Sequence, residues 1–181
     1  MKLFEIDLYK FHTNPETLHG YDRADEIVIE RIFNIAKSGK KLTDKQEDVL
    51  AKDPHYAYDY ARYILKKHWL KGEDAIAKDP KYAYLYAKNI LKKPFHKGEV
   101  LIAKDHQYAY WYALDVLKKP WPKGEPVIAK NPDNAYRYAL YVLKRPFLKG
   151  EDAIAEDPII AHRYALNVLK LPEAKASRWP N

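Results

Sequence analysis

Apolar and polar positions recur along this chain with a period of 26 residues. Five units follow one another without insertion or deletion, over residues 47–72, 73–98, 99–124, 125–150 and 151–176. Their shared pattern is E-x-x-[IL]-A-K-D-P-x-Y-A-Y-x-Y-A-x-x-[IV]-L-K-K-P-[FW]-x-K-G. A fixed period of this kind is typical of solenoids, in which each unit packs against its neighbours. The sequence therefore predicts an all-α fold, an α-solenoid of five tandem two-helix 26-residue repeats.

Each unit is predicted to form a short helix followed by a longer one. In the second unit, Asp79 is a favourable N-cap for the longer helix, and Pro80 suits a first turn that needs no N–H donor. Lys92 and Lys93 complement the negative end of the helix dipole, and Pro94 cannot continue the helix. We therefore expect the longer helix to run from about Pro80 to Lys93.

The longer helix carries a broad apolar stripe. In the second unit, apolar residues at helical spacing are Ala83, Tyr86, Ala87, Ile90 and Leu91. Such a stripe suits a helix with equivalent helices on both sides. We expect the alanines to allow close helix approach, and the tyrosines to bury their rings while their hydroxyls contact polar groups.

Residues 1–46 do not fit the repeat and are predicted to be an N-terminal capping region that shields the first unit. The alternative is an independent functional domain. Within this region we expect an extended segment over residues 1–11, a helix start at 14–15 and a helix over 26–37. Thr43 with Gln46 resembles a capping box that opens the first repeat.

The last unit and the C-terminal tail, residues 177–181, also depart from the pattern. Ile159 and Ile160 replace a polar residue and a tyrosine, although no further unit follows to cover them. We expect the tail to fold back so that Trp179 covers them, which would leave the chain a monomer. The alternative is a homodimer through the C-terminal unit.

The repeat core I-A-K-D-P-x-Y-A-Y-x-Y-A…[IV]-L-K-x-P-[FW]-x-K-G-E, seen from Ile76 to Glu99, resembles a tandem repeat of bacteriophage and large DNA virus proteins. The resemblance covers residues 47–176 and leaves residues 1–46 outside. It implies an α-solenoid and a viral or prophage origin. It brings with it no catalytic residues and no agreed activity.

Candidate chemistry is sparse. The chain has no cysteine, which excludes disulfides and thiolate metal sites. Its seven histidines form no H-x-x-x-H or H-E-x-x-H pair, and no nucleophile-elbow, P-loop or dinucleotide-binding motif is present. We therefore predict a protein that is not an enzyme and that holds no cofactor and no metal.

No apolar run approaches the roughly 20 residues that cross a bilayer. The first residues place Glu5 and Asp7 among apolar side chains and show no signal-peptide core. We expect a cytoplasmic protein that does not enter a membrane, in the host cytoplasm if the origin is viral.

Positions that vary between units mark a predicted binding face on the longer helix. Unit positions 9, 13 and 17 lie on one face of an α-helix, at i, i+4 and i+8. Leu85 and Trp111 share position 13 in neighbouring units, and tryptophan and arginine are typical interface anchors. The alternative is a solvated face that varies freely. The predicted partner-binding residues are Asp59, Tyr63, Leu85, Asn89, Trp111, Asp115, Arg137 and Tyr141.

The net charge of +7 belongs to the repeats, because residues 47–176 hold 23 basic and 17 acidic groups while residues 1–46 hold eight of each. Position 20 of every unit is a lysine, and we call these residues the lysine ladder: Lys66, Lys92, Lys118, Lys144 and Lys170. Lysines at helix ends can simply offset the free carbonyls. The functional alternative is a track that contacts phosphates, with tyrosines nearby for base stacking.

Taken together, these patterns favour a non-enzymatic module that binds another protein. If the chain is viral, that partner is a host protein, and an inhibitor of a host protein fits this class. The main alternative is a nucleic-acid-binding solenoid that uses the lysine ladder. A third hypothesis is a sponge that holds an anionic small molecule against the ladder.

Overall fold

The computed structural model of the protein describes residues 23–180, and all regular secondary structure in that range is helical. The expected extended segment at 1–11 and the helix start at 14–15 lie outside the described residues. The predicted N-terminal helix is present as Arg23–Lys37. The capping box of Thr43 and Gln46 is also confirmed, and it opens the first repeat helix.

Each unit contains the predicted pair of helices. At the start of every long helix, the Asp or Asn before the first residue accepts an N–H from the first turn, so the predicted N-caps are confirmed. The short helices are Asp44–Leu50, Glu73–Ile76, Glu99–Ile102, Glu125–Ile128 and Glu151–Glu156. The α-helical parts of the long helices are Pro54–Asp59, Pro80–Tyr86, His106–Trp111, Pro132–Arg137 and Pro158–Asn167.

The second half of the long helix is a π-helix in the first four units, which the sequence did not predict. A π-helix has i→i+5 hydrogen bonds and more residues per turn than an α-helix, so later side chains rotate away from the faces expected for an α-helix. Short 3-10 turns lie at Leu70–Gly72 and Leu148–Gly150. The π-helical segments are Tyr60–Leu65, Ala87–Leu91, Tyr112–Leu117 and Tyr138–Leu143.

The units stack with their long helices side by side and in register. The α-helical part of each long helix contacts the α-helical part of the next, and neighbouring π-helical segments contact each other in the same way. Each long helix also packs against the short helix of the following unit. The chain is therefore an α-solenoid, as predicted, and the C-terminal ends of its long helices lie along one edge.

The core repeats from unit to unit with the alanines and tyrosines that the pattern predicted. In the second unit, Ala83, Tyr86 and Ala87 are completely buried. The glycine that ends each of the first four units allows the next short helix to approach closely. A Cβ on Gly98 would lie 2.6 Å from the Cβ of Ala83 and 2.8 Å from the ring of Phe95, so any larger residue would separate the helices.

The last unit ends in a short helix, Glu173–Ala176. The tail that follows it folds back onto this unit. The Trp179 ring lies 5.2 Å from the ring of Tyr164, between centroids. An aromatic residue in each earlier unit occupies the same place, for example Phe95 at 5.2 Å from Tyr86. Ile160 is buried, but Ile159 is 66% exposed, so the expectation that the tail covers both isoleucines is wrong for Ile159.

Candidate functional site

A buried tyrosine and a glutamate fix the geometry of each unit relative to the one before it. The Tyr112 hydroxyl donates to Glu99 at 3.0 Å and accepts the backbone N–H of Phe95, in the preceding unit, at 2.9 Å. Burial raises the pKa of Tyr112 above its ordinary value, so the hydroxyl keeps its proton. The equivalent tyrosines with both partners are Tyr86, Tyr138 and Tyr164.

Trp111 lies at the centre of the predicted partner-binding face and is 37% exposed. Its ring packs 5.8 Å from the ring of Tyr84 and 5.6 Å from that of Tyr108. Leu85, at the same position in the preceding unit, is half-buried and packs against the core. The expected patch of two exposed apolar residues therefore consists mainly of the Trp111 ring.

Two of the predicted partner-binding residues at position 17 make hydrogen bonds between units. Asn89 donates its amide to the hydroxyl of Tyr58 at 2.9 Å. Asp115 accepts the hydroxyl of Tyr84 and the ammonium of Lys88, the latter at 2.8 Å. The sequence contained one signal for these contacts, a polar residue 31 positions after a tyrosine, but it can be recognised only once the stacking is known.

The other two position-17 residues of the predicted set, Tyr63 and Tyr141, project from the surface. They are 58% and 54% exposed, respectively. Both rings lie beside the ends of the long helices, next to the lysine ladder. The structure thus separates these position-17 residues into two that join units and two that are more than half exposed, and the Arg62 guanidinium lies 5.7 Å from the centroid of the Tyr63 ring.

The remaining charged residues of the predicted face have partners on their own helices. His55 lies 3.2 Å from the carboxylate of Asp59, whose pKa burial raises above its usual range. The Arg137 guanidinium donates to Asp133 at 2.7 Å, and its side chain remains about half exposed. Arg137 therefore keeps donors available on the surface, since a guanidinium has five N–H groups.

Every residue of the lysine ladder has a left-handed backbone conformation, with φ between 53° and 56°. At the end of the first long helix, the N–H groups of Lys66 and Lys67 both bond the Ala61 carbonyl. Within residues 23–180, no ladder side chain makes an ion pair or a hydrogen bond. These ammonium groups therefore make no hydrogen bond to the carbonyls, and the structural alternative is the attraction between their charge and the helix dipole, which needs no direct contact.

A second set of lysines, at position 25, behaves differently because it neutralises the acids that begin each unit. Lys97 lies 2.7 Å from Asp74, and Lys149 lies 2.7 Å from Glu125. Lys71 and Lys123 make equivalent pairs. These carboxylates are therefore engaged by the position-25 lysines, and the charge of the ladder stays uncompensated in the described part of the chain.

Two open clefts lie between neighbouring units along the ladder edge. The first, between units 1 and 2, has a volume of about 400 Å³, and the second, between units 3 and 4, about 370 Å³. Two ladder lysines and one exposed tyrosine line each cleft. The first is lined by Arg62, Tyr63, Lys66, Asn89, Ile90 and Lys92, and the second includes Leu114, Lys118, Lys119, Tyr141, Val142 and Lys144.

Among residues 23–180, no group of histidine and acidic side chains is arranged to hold a metal ion, and no helix is long and apolar enough to span a membrane. Comparison with known proteins found no matching family model, no matching curated protein and no matching solved structure. The resemblance to viral repeat proteins stays a prediction, and arguments about function depend on the residues themselves.

Proposed function

We propose that this protein is a non-enzymatic helical-repeat module that binds another protein through the face around Trp111. The observation that carries the proposal is the exposed indole of Trp111, supported by the rings of Tyr84 and Tyr108. A ring held in one orientation loses little conformational entropy when a partner covers it. Arg137 presents an exposed guanidinium at the same position of the next unit, and tryptophan and arginine often dominate binding energy.

The resemblance to viral repeat proteins extends this proposal. In it, the partner is a host protein that the module inhibits by covering part of its surface, in the host cytoplasm. Inhibition of this kind requires no catalytic group in the module.

Affinity capture from a nuclease-treated lysate of the candidate host tests the proposal. The immobilised wild-type protein is compared with Trp111→Ala and with Leu148→Ala. The second variant is the matched control, because Leu148 is an apolar residue, 76% exposed, in a 3-10 turn between units and not on a long helix. A specific partner should be retained by the wild type and by Leu148→Ala and lost by Trp111→Ala.

Titration with the purified partner then measures how much Trp111 contributes to the binding free energy. Loss of a hot-spot residue costs about 2 kcal/mol or more, so Trp111→Ala should raise the dissociation constant about 30-fold. Circular dichroism must show that the variant remains folded. Equal binding by a folded Trp111→Ala protein would refute the assignment of this face.

A nucleic-acid-binding solenoid is the second candidate function, and one specific observation favours it. The five ladder lysines line one edge of the stack without a partner in residues 23–180. A row of unpaired cations is the electrostatic footprint that a phosphate backbone recognises.

A further inference from the structure

Lysine is an unexpected residue at the ends of the long helices. A left-handed conformation at a helix C-terminus favours glycine, or less often asparagine, because a Cβ is strained there. All five units nevertheless have lysine at this position. Backbone N–H groups already satisfy the Ala61 carbonyl at the end of the first long helix, and the same pattern recurs at Ala113 and Ala139. All five units keep a strained, left-handed lysine at this position, which points to a role for the side chain beyond stability.

The positive charges along this edge are evenly spaced, which suits a long anion whose own charges are evenly spaced. Neighbouring long helices are in contact, and packed helices lie about 8–10 Å apart, so the ladder places one ammonium group at each such step. The adjoining position adds a second cation in four units, at Lys67, Lys93, Lys119 and Arg145. The edge therefore offers a uniform row of positive charge.

Each cleft adds an aromatic face to a pair of ladder lysines. Tyr63 lies with Lys66 and Lys92 in the first cleft, and Tyr141 lies with Lys118 and Lys144 in the second. Both rings are more than half exposed. A cationic groove combined with exposed aromatic rings is the common solution for binding single strands, since every base has a π-face that can stack.

We propose that these two clefts are subsites for a single-stranded nucleic acid, whose phosphates contact the ladder lysines and whose bases stack on Tyr63 and Tyr141. The inference rests on the second candidate function and specifies its site and ligand.

The distribution of identical and varied residues favours a nucleic acid over an acidic protein segment. The ladder residue is a lysine in every unit, as suits a backbone with one identical charge per nucleotide. An acidic protein segment carries its charges at irregular spacing and gives no reason for the same cation at every step. Position 17 supplies an exposed tyrosine to each cleft, and an aromatic ring can stack on a base of any identity.

The test measures binding of a fluorescein-labelled oligothymidylate of about 20 nucleotides, longer than the single-strand sites of many binding domains. Anisotropy is followed over a range of salt concentrations. The main variant replaces Lys66, Lys92, Lys118 and Lys144 with glycine. For a single strand the salt slope is about 0.7 per phosphate contact, so four lost contacts should reduce the slope by about 3.

The glycine substitutions also separate the functional role from a structural one. Glycine relieves the left-handed strain while it removes the charge, so the melting temperature should stay equal or rise as binding falls. A lower melting temperature would show that the lysines stabilise the helix ends and would overturn the proposal. The matched control replaces Lys71, Lys97, Lys123 and Lys149 with glutamine, an equal change in charge, and should keep most of the salt slope.

The stacking role has its own variants. Tyr63→Ser with Tyr141→Ser should weaken binding at least fivefold at fixed salt, since one stacked base contributes about 1–3 kcal/mol. Tyr63→Phe with Tyr141→Phe keeps the rings and should bind like the wild type. Unchanged binding by the serine variant would show that the rings do not contact the strand.

The remaining outcomes identify what else the clefts hold. Absence of salt-dependent binding by the wild type refutes the second candidate function as a whole. If binding falls equally in the ladder variant and in the position-25 variant, the protein still binds nucleic acid, but the clefts are not the site. Equal binding of polyglutamate assigns the edge to an acidic protein segment, and competition by inorganic phosphate at a similar concentration assigns it to a small anion. Trp111→Ala should bind the oligonucleotide normally, whatever the fate of the protein-binding proposal.

Discussion

The backbone N–H of Phe95 donates to the hydroxyl of Tyr112 at 2.9 Å, across the boundary between the second and third units. The same Tyr112 hydroxyl donates to the carboxylate of Glu99, the first residue of its own unit. All three residues are buried. The relationship explains why glutamate and tyrosine recur together in the repeat, since loss of either would leave a buried polar group without this partner. The ring of Phe95 has a separate role, because it packs 5.2 Å from the ring of Tyr86.

Tyr112→Phe is expected to lower the free energy of unfolding by about 1–3 kcal/mol, because it leaves the Phe95 N–H and the Glu99 carboxylate without this partner. Urea unfolding followed by circular dichroism measures the change. Tyr141→Phe is the control, since its exposed hydroxyl makes no hydrogen bond among the described residues, and it should shift stability by less than about 0.5 kcal/mol. Equal effects of the two substitutions would contradict the role assigned to the buried hydroxyl.

Ala109→Leu and Ala113→Leu are each expected to destabilise the protein by about 1–3 kcal/mol, because both alanines are completely buried between neighbouring helices. Ala174→Leu adds the same volume at an exposed helical position and should be close to neutral. Thermal unfolding distinguishes these cases. Unchanged midpoints for both core variants would show that the packed face of the long helix has been misassigned.

The free energy of unfolding is expected to fall as the pH rises above about 10. Burial raises the pKa of Tyr84 and Tyr138 from 10.0 to about 12. Between these values the unfolded chain has lost protons that the folded chain retains, so stability is fully present below the lower value and is lost towards the higher one. Urea unfolding at a series of alkaline pH values measures the slope.

The control for this pH dependence is Tyr138→Phe, which removes one of the titrating groups. Its unfolding free energy should be lower at neutral pH and should depend less steeply on pH above 10. A slope identical to that of the wild type would mean that Tyr138 does not contribute.

Removal of residues 177–181 is expected to cost about 1–3 kcal/mol, because Trp179 covers the ring of Tyr164. Ser177→Ala, which leaves the ring in place, should have little effect. Light scattering reports the oligomeric state of each protein. A wild-type dimer that Ile159→Asp converts into a folded monomer would instead assign the C-terminal unit to a homodimer contact.

Part of the candidate site could be predicted from the sequence. The variable positions and the lysine ladder stand out once the units are aligned with one another. An α-helical projection placed positions 13 and 17 on one exposed face, whereas Asn89 and Asp115 bond tyrosine hydroxyls of the preceding unit. The projection failed because it considers one helix at a time, and the tyrosine that a polar residue at position 17 bonds belongs to the neighbouring unit, as it does for Asn167 in the α-helical last unit.

The sequence was enough to predict the 26-residue unit, its two helices, their N-caps and the buried alanines and tyrosines, because these depend on local hydrogen bonding and on periodic apolar positions. Which lysines are unpaired could not be predicted in this way. Lys92 and Lys97 lie five residues apart in one unit, yet Lys97 meets Asp74 at 2.7 Å while Lys92 has no partner among residues 23–180. Pairing depends on distances between segments far apart in the chain, and those distances exist only after the units have stacked.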